Sequence, residues 1–136
     1  MMDVKKLRIM TRMTQRQFAE YFNIPKRTIE NWEGGQRKPP PYVVELIEYK
    51  IRKEKLGMLR LVEKDHGEEK VLMEGYLDDI VQFLKENEEI YAWILDEDPT
   101  AEMPCFDNVE VLRDLEHELT KLDLSWWSLE VREIAQ

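Results

Sequence analysis

The chain has 136 residues, 43% of them hydrophobic and 36% charged, with a formal net charge of -9. That is enough apolar material for one core or two small ones, and no run of about 18 apolar residues is present to cross a membrane. The start, MMDVKKLRIM, carries cations but lacks the apolar stretch of a secretory signal. A single cysteine, Cys105, and two histidines far apart in sequence, His66 and His117, predict a cytoplasmic chain with neither an internal disulfide nor a zinc site.

The charge is unevenly divided. Residues 1–56 hold 13 Lys/Arg against 7 Asp/Glu, a net +6, and residues 57–136 hold 7 against 22, a net -15. Such a split predicts a basic module that meets a polyanion and an acidic module with a different task. Gly57 stands at the change of sign and marks the expected boundary.

The first half reads as short helices. Val4, Leu7 and either Ile9 or Met10 give the first an apolar stripe. Thr14 is placed to cap the next, QRQFAEYF, with Gln17 three residues on completing a capping box. Phe18, Ala19 and Phe22 form its buried side. Asn23-Ile24-Pro25 interrupts that helix, because proline disfavours helical geometry in the residue before it and suits the start of a new helix. A third helix, from Lys26 to about Glu33, turns Ile29 and Trp32 inward and Lys26, Arg27, Glu30 and Asn31 outward. Gly34-Gly35 ends it. After QRKPPP, a longer helix is expected with Val43, Leu46, Ile47 and Ile51 on one side.

Two short helices joined by a tight turn, the second exposing polar and basic side chains, make a helix-turn-helix. The stretch MTQRQFAEYFNIPKRTIENWEGGQRKPP resembles the DNA-binding domain of the lambda-type phage repressors, the Xre group. The matching residues are Thr14-Gln15, Ala19 where the helices approach, Ile24 in the turn, Thr28-Ile29, Trp32-Glu33, and glycine ahead of proline. The resemblance covers residues 4–56, and Arg12 departs from it, standing where that family usually has glycine.

The resemblance implies that the third helix enters the major groove. Gln15, Lys26, Arg27 and Asn31 would then meet base edges, roles that suit Arg and Lys for guanine and Asn and Gln for adenine. Arg16, Thr28, Gln36, Arg37 and Lys38 would meet phosphates, which set register and affinity. Arg8 and Glu33 resemble that family's structural ion pair. Trp32, Phe18, Ile24 and Ile29 have the helical spacing of a core, which outweighs base stacking.

The second half predicts a small α+β domain, so the chain as a whole is expected to be α+β. MLRLVEKDHGEEKVLMEG reads as a β-hairpin, YLDDIVQFLKEN as a helix with Asp78 and Asp79 in its first turn, and IYAWIL as a buried strand. Asp107 and Glu110 give a capping-box pattern ahead of Leu112, Leu115, Leu119 and Leu122. The tail LSWWSLEVREI fits a strand or a helical stripe, with strand favoured.

No catalytic constellation, phosphate loop or metal-ligand set stands out, so neither an enzyme nor a cofactor is expected. Asp78-Asp79 and Asp96-Glu97-Asp98 lack the glycine and terminal glutamate of a calcium loop and read as solvated acidic surface. Cys105 has no base nearby in sequence and reads as a small hydrophobe. The expected function is sequence-specific binding of double-stranded DNA as a transcriptional repressor of phage or mobile-element type. The acidic half, residues 57–136, is then a homodimerisation domain, with Leu112, Leu115, Leu119, Trp126 and Trp127 as its surface. The alternative is a bifunctional protein, of anti-CRISPR or antitoxin type, whose acidic domain binds a basic protein partner while the helix-turn-helix represses its own promoter.

Overall fold

A computed structural model describes residues 2–134. The elements run in the order α1 (Val4–Thr11), α2 (Gln15–Phe22), α3 (Lys26–Gly34), α4 (Pro41–Glu54), β1 (Leu59–Asp65), β2 (Glu68–Gly75), α5 (Leu77–Glu86), a 3-10 turn (Glu88–Ile90), α6 (Ile94–Glu97), α7 (Leu112–Thr120) and β3 (Trp127–Glu133). The architecture is α+β, and the contacts fall into two compact units that divide between Gly57 and Met58.

The first unit is all helical. Asp3 caps α1 by accepting the Lys6 N–H at 2.8 Å. At α2 the capping box is reciprocal: the Thr14 hydroxyl accepts the Gln17 N–H, and the Gln17 side chain accepts the Thr14 N–H. Phe18 and Ile29 are fully buried and Ala19 nearly so, letting α2 and α3 pack closely, while Trp32 is half-buried. On α1 the inward residues are Val4, Leu7 and Thr11; Ile9 is 52% exposed. Arg12 follows with φ 62, a left-handed cap, and its N–H reaches the Ile9 carbonyl. The helix therefore needs the geometry that glycine would supply at no steric cost. The turn the resemblance anticipated there is kept despite the arginine.

The face of α4 differs from the expected one. Val44, Ile47 and Ile51 are buried, with Leu56 just beyond the helix, whereas Val43 is half-buried and Leu46 is 62% exposed. Both registers are possible on a helix that carries four apolar residues in its first two turns; the one chosen continues through Ile51 to Leu56.

In the second unit β1 lies at the centre of an antiparallel sheet ordered β2-β1-β3. His66 and Gly67, at φ 51 and 85, close the β1–β2 hairpin in a two-residue turn with both central residues left-handed, the twist such hairpins favour. The tail is strand β3, pairing Leu61 with Val131 and Asp65 with Trp127. One face of the sheet carries Leu59, Leu61, Trp127 and Leu129 into a core completed by Ile80 and Leu84 of α5, Ile94, and Leu115 and Leu119 of α7. The opposite face carries a ladder of ion pairs: Arg60–Glu74, Lys64–Glu130, and Arg132 with Glu69 and Glu130.

Two expectations for this unit are corrected. IYAWIL is not a strand. It forms the 3-10 turn, a further turn and α6, with the Tyr91 N–H donated to Glu88, Ile94 to Tyr91 and the Trp93 indole to the Ile90 carbonyl. Tyr91 and Ile94, three apart, are the buried pair, a helical spacing that six apolar residues conceal. The start of α7 also moves. Asp107 does not cap it but pairs with Lys85 at 3.0 Å, and Asp114 accepts the N–H groups of Glu110 and Val111 instead. Those two bonds hold the Asp114 carboxyl below its ordinary value.

Candidate nucleic-acid interface

Between α2 and α3 the chain turns in three residues. Asn23 adopts φ 55, and its N–H and that of Ile24 both reach back to the Ala19 carbonyl. Asparagine is among the few residues that tolerate this left-handed position. Pro25 then stands at the cap of α3, and its carbonyl receives the Thr28 N–H. An open concavity of about 580 Å³ sits over this turn, with Arg16, Asn23 and Lys26 on its rim.

One ion pair anchors the far end of α3. Arg8 of α1 donates from Nε to Glu33 Oε2 at 2.8 Å and from a terminal nitrogen to Oε1 at 2.9 Å. Its other terminal nitrogen donates to the Met13 carbonyl at 3.0 Å. Gln15 Nε2 adds a bond to Glu33 Oε1 at 3.2 Å. The side chains of Arg8 and Glu33 are 18% and 6% exposed. Burial alone would raise the Glu33 carboxyl, but the hydrogen bonds from Arg8 and Gln15 outweigh it and hold the group below its ordinary value. The Arg8 guanidinium is raised, first by its hydrogen bond to Glu33. The pair expected between Arg8 and Glu33 is thus present, and it is bidentate, the geometry guanidinium and carboxylate favour. Sequence reasoning missed the tie to Gln15. Its partner lies 18 residues away, and no local pattern signals it.

Lys26 and Arg27 stand exposed on the first turn of α3, and Asn31 and Thr28 are half-buried. Gln36, Arg37 and Lys38 are exposed in the loop that follows, which the Arg37 N–H ties to the Asn31 carbonyl at 3.3 Å. Lys26, Arg27, Arg37 and Lys38 make no ion pair among the described residues. Arg16 meets Glu20 at 3.4 Å with both side chains mostly in solvent, a contact too weak to hold it. Gln15 sits at the first turn of α2, held from beneath by Glu33. The outward face of α3, the start of α2 and the loop after α3 therefore carry cations free to meet an anion.

The second unit does not present the surface expected of it. Leu115, Leu119 and Trp127 are at most 3% exposed and belong to the core, and Leu112 is half-buried. The sheet supplies the apolar partner that the leucine stripe lacked when read alone. Trp127 also donates its indole N–H to Glu63 at 3.1 Å. Only Trp126 is exposed, at 37%, and it is stacked against His66 and Trp93 at 4.8 and 5.7 Å. Cys105 is exposed, with its N–H bonded to Glu118 at 2.7 Å.

Among the described residues no helix is long and apolar enough to cross a membrane, and no group of His, Cys, Asp and Glu is arranged for a metal ion. No curated protein and no solved structure matches the chain. Residues 4–48 match the family model described as helix-turn-helix, the family that the segment resembles in sequence, and a domain of this type supports sequence-specific DNA binding and a role in transcription regulation.

Proposed function

We propose that the chain is a transcriptional repressor that reads duplex DNA with α3 in the major groove. The observation that carries this is the contrast between the two ends of that helix. Its far end is fixed to α1 by the Arg8–Glu33 pair, while Lys26 and Arg27 at its start are exposed and uncommitted. Lys26, Arg27, Asn31 and Gln15 meet base edges, where Arg or Lys suits guanine O6/N7 and Asn or Gln suits adenine N6/N7. Arg16, Thr28, Gln36, Arg37 and Lys38 meet phosphates on either side. The acidic second unit, its charge repelled by a phosphate backbone, takes no part in the contact.

The test is selection of duplexes from a random pool by the full chain at stated salt, followed by variants. A shared motif should emerge, with affinity falling steeply as salt rises. Arg27→Ala should relax preference at one position, at a cost of about 1–3 kcal/mol. Lys38→Ala should weaken every sequence alike and flatten the salt dependence. Equal binding to selected and random duplexes refutes the proposal, and a Lys38 change that alters preference while Arg27→Ala does not refutes the docking.

A further inference from the structure

β3 is an edge of the sheet, and the alternation of its bonds tells which of its backbone groups are left over. Trp126 accepts the His66 N–H, and Ile134 donates to the Met58 carbonyl. With Asp65 set against Trp127, the even-numbered residues of β3 therefore bond to β1 and the odd-numbered ones aim N–H and C=O away from the sheet. Trp127 closes its outward groups on Leu124. Leu129 and Val131 have no backbone partner on that side among the described residues. The opposite edge, β2, is blunted by a bulge opposite Leu61 and Val62 and by exposed Glu68, Glu69 and Lys70, devices that keep other strands away. β3 has neither bulge nor proline.

That bare edge forms one wall of an open cleft of about 290 Å³. The other wall is one side of α7 and the turn after it, Glu116, Leu119, Thr120 and Asp123, which recur at helical spacing. An open strand edge beside a helix accepts an extended chain as an added strand, with main-chain bonds giving affinity and flanking side chains giving specificity. The flanking side chains here are acidic. Glu116 and Asp123 are exposed and make no ion pair among the described residues. The Asp123 carboxyl is raised, first by burial and then by the like charge of Glu130, and a cation in the cleft would offset both. Glu130 itself already meets Lys64 and Arg132. Residues 57–136 carry a net -15, so a second copy would bring like charge to the cleft, whereas a basic segment is drawn to it.

We propose that the cleft between β3 and α7 binds an extended basic segment of another protein. The segment adds to the three-stranded sheet as a further strand beside β3 and sets lysine or arginine side chains, at alternate positions, against Glu116 and Asp123. The inference goes beyond repressor function and does not depend on it, because binding is measured without DNA.

The probe is a capped, fluorescently labelled peptide that alternates arginine with valine, titrated by anisotropy with the full chain at up to about 100 µM, a range that detects weak complexes. It should bind. Glu116→Gln/Asp123→Asn, with unchanged far-UV circular dichroism, should weaken binding at least about tenfold. Asp96→Asn/Glu97→Gln removes the same charge from exposed positions on α6 and should stay within about twofold. Two isomeric probes, one N-methylated at every arginine amide and the other at every valine amide, test the main chain at constant charge. Only one edge of an added strand faces β3, so one isomer should lose at least about tenfold and the other stay within about threefold. No binding of the parent probe, equal losses in the two charge variants, or equal binding of the two isomers overturns the inference. Sedimentation under the same conditions covers the other occupant: a dimer that excludes the probe gives the edge to a second copy and overturns it too.

Discussion

Glu33→Gln tests whether the ion pair between α1 and α3 holds the reading helix in place. The substitution keeps the shape and one carbonyl acceptor but removes the charge. Wild-type Glu33 accepts two bonds from Arg8, at 2.8 and 2.9 Å, and one from Gln15. A hydrogen bond to a charged group contributes about 1.5–3 kcal/mol, and the amide preserves one of the two Arg8 bonds. Arg8, with its side chain only 18% exposed, would retain a guanidinium edge with little water to replace the lost acceptor. The expected loss is therefore about 2–3 kcal/mol of stability for the first unit at pH 7.

Native-state hydrogen exchange of the α2 and α3 amides reads that loss directly. Tryptophan fluorescence would mix Trp32 with Trp93, Trp126 and Trp127 of the second unit. The pH dependence gives an independent check. The Glu33 carboxyl is depressed in the folded chain, so its stabilisation is complete above the unfolded carboxyl value and disappears as pH falls through the folded one. The gap between wild type and Glu33→Gln should be full at neutral pH and close below about pH 4. A gap under about 0.5 kcal/mol at pH 7, within the scatter of ordinary surface changes, refutes the reasoning. So does a gap that persists undiminished in acid.

Three further substitutions probe the backbone and the core. Gly57 has φ 84, and a Cβ there would lie 2.2 Å from the Met10 carbonyl oxygen and 2.7 Å from Thr11 Cα; Gly57→Ala should cost about 2–4 kcal/mol of first-unit stability from backbone strain and overpacking together, read by exchange of the α1 amides. Lys55, exposed at φ 55 in the cap of α4, has the opposite sign: Lys55→Gly should stabilise by about 0.5–1 kcal/mol in the same assay. Trp127→Phe removes the indole bond to Glu63 and leaves a gap in the second core; thermal denaturation should show a loss of about 1–3 kcal/mol.

The first unit was legible because its signals are local. Thr14 and Gln17 announce a capping box three residues apart, Pro25 marks the start of α3, and Gly35 takes the left-handed position that ends it. Outward Lys26 and Arg27 follow from the inward placement of Ile29. What α4 hides is a choice between two faces. Val43 with Leu46, and Val44 with Ile47, are equally spaced, and only the continuation through Ile51 to Leu56 selects the second set. A pattern two turns long has two solutions; four turns have one.

In the second unit the deciding partners are remote, and the errors follow from that. IYAWIL is too short for periodicity to distinguish strand from helix, and its turns depend on carbonyls of Asn87 and Glu88 that lie outside the apolar run. The leucine stripe of α7, taken alone, fits a homodimer surface because its cover, Leu59, Leu61 and Leu129 from a three-stranded sheet, is assembled from strands some 70 residues apart in sequence. With that cover in place, the surplus moves to α4, where Tyr42, Leu46 and Tyr49 remain in water. An apolar side chain calls for a partner only after the fold has used those within its own unit, so the place to look for a second chain is the residue left exposed by a core already complete.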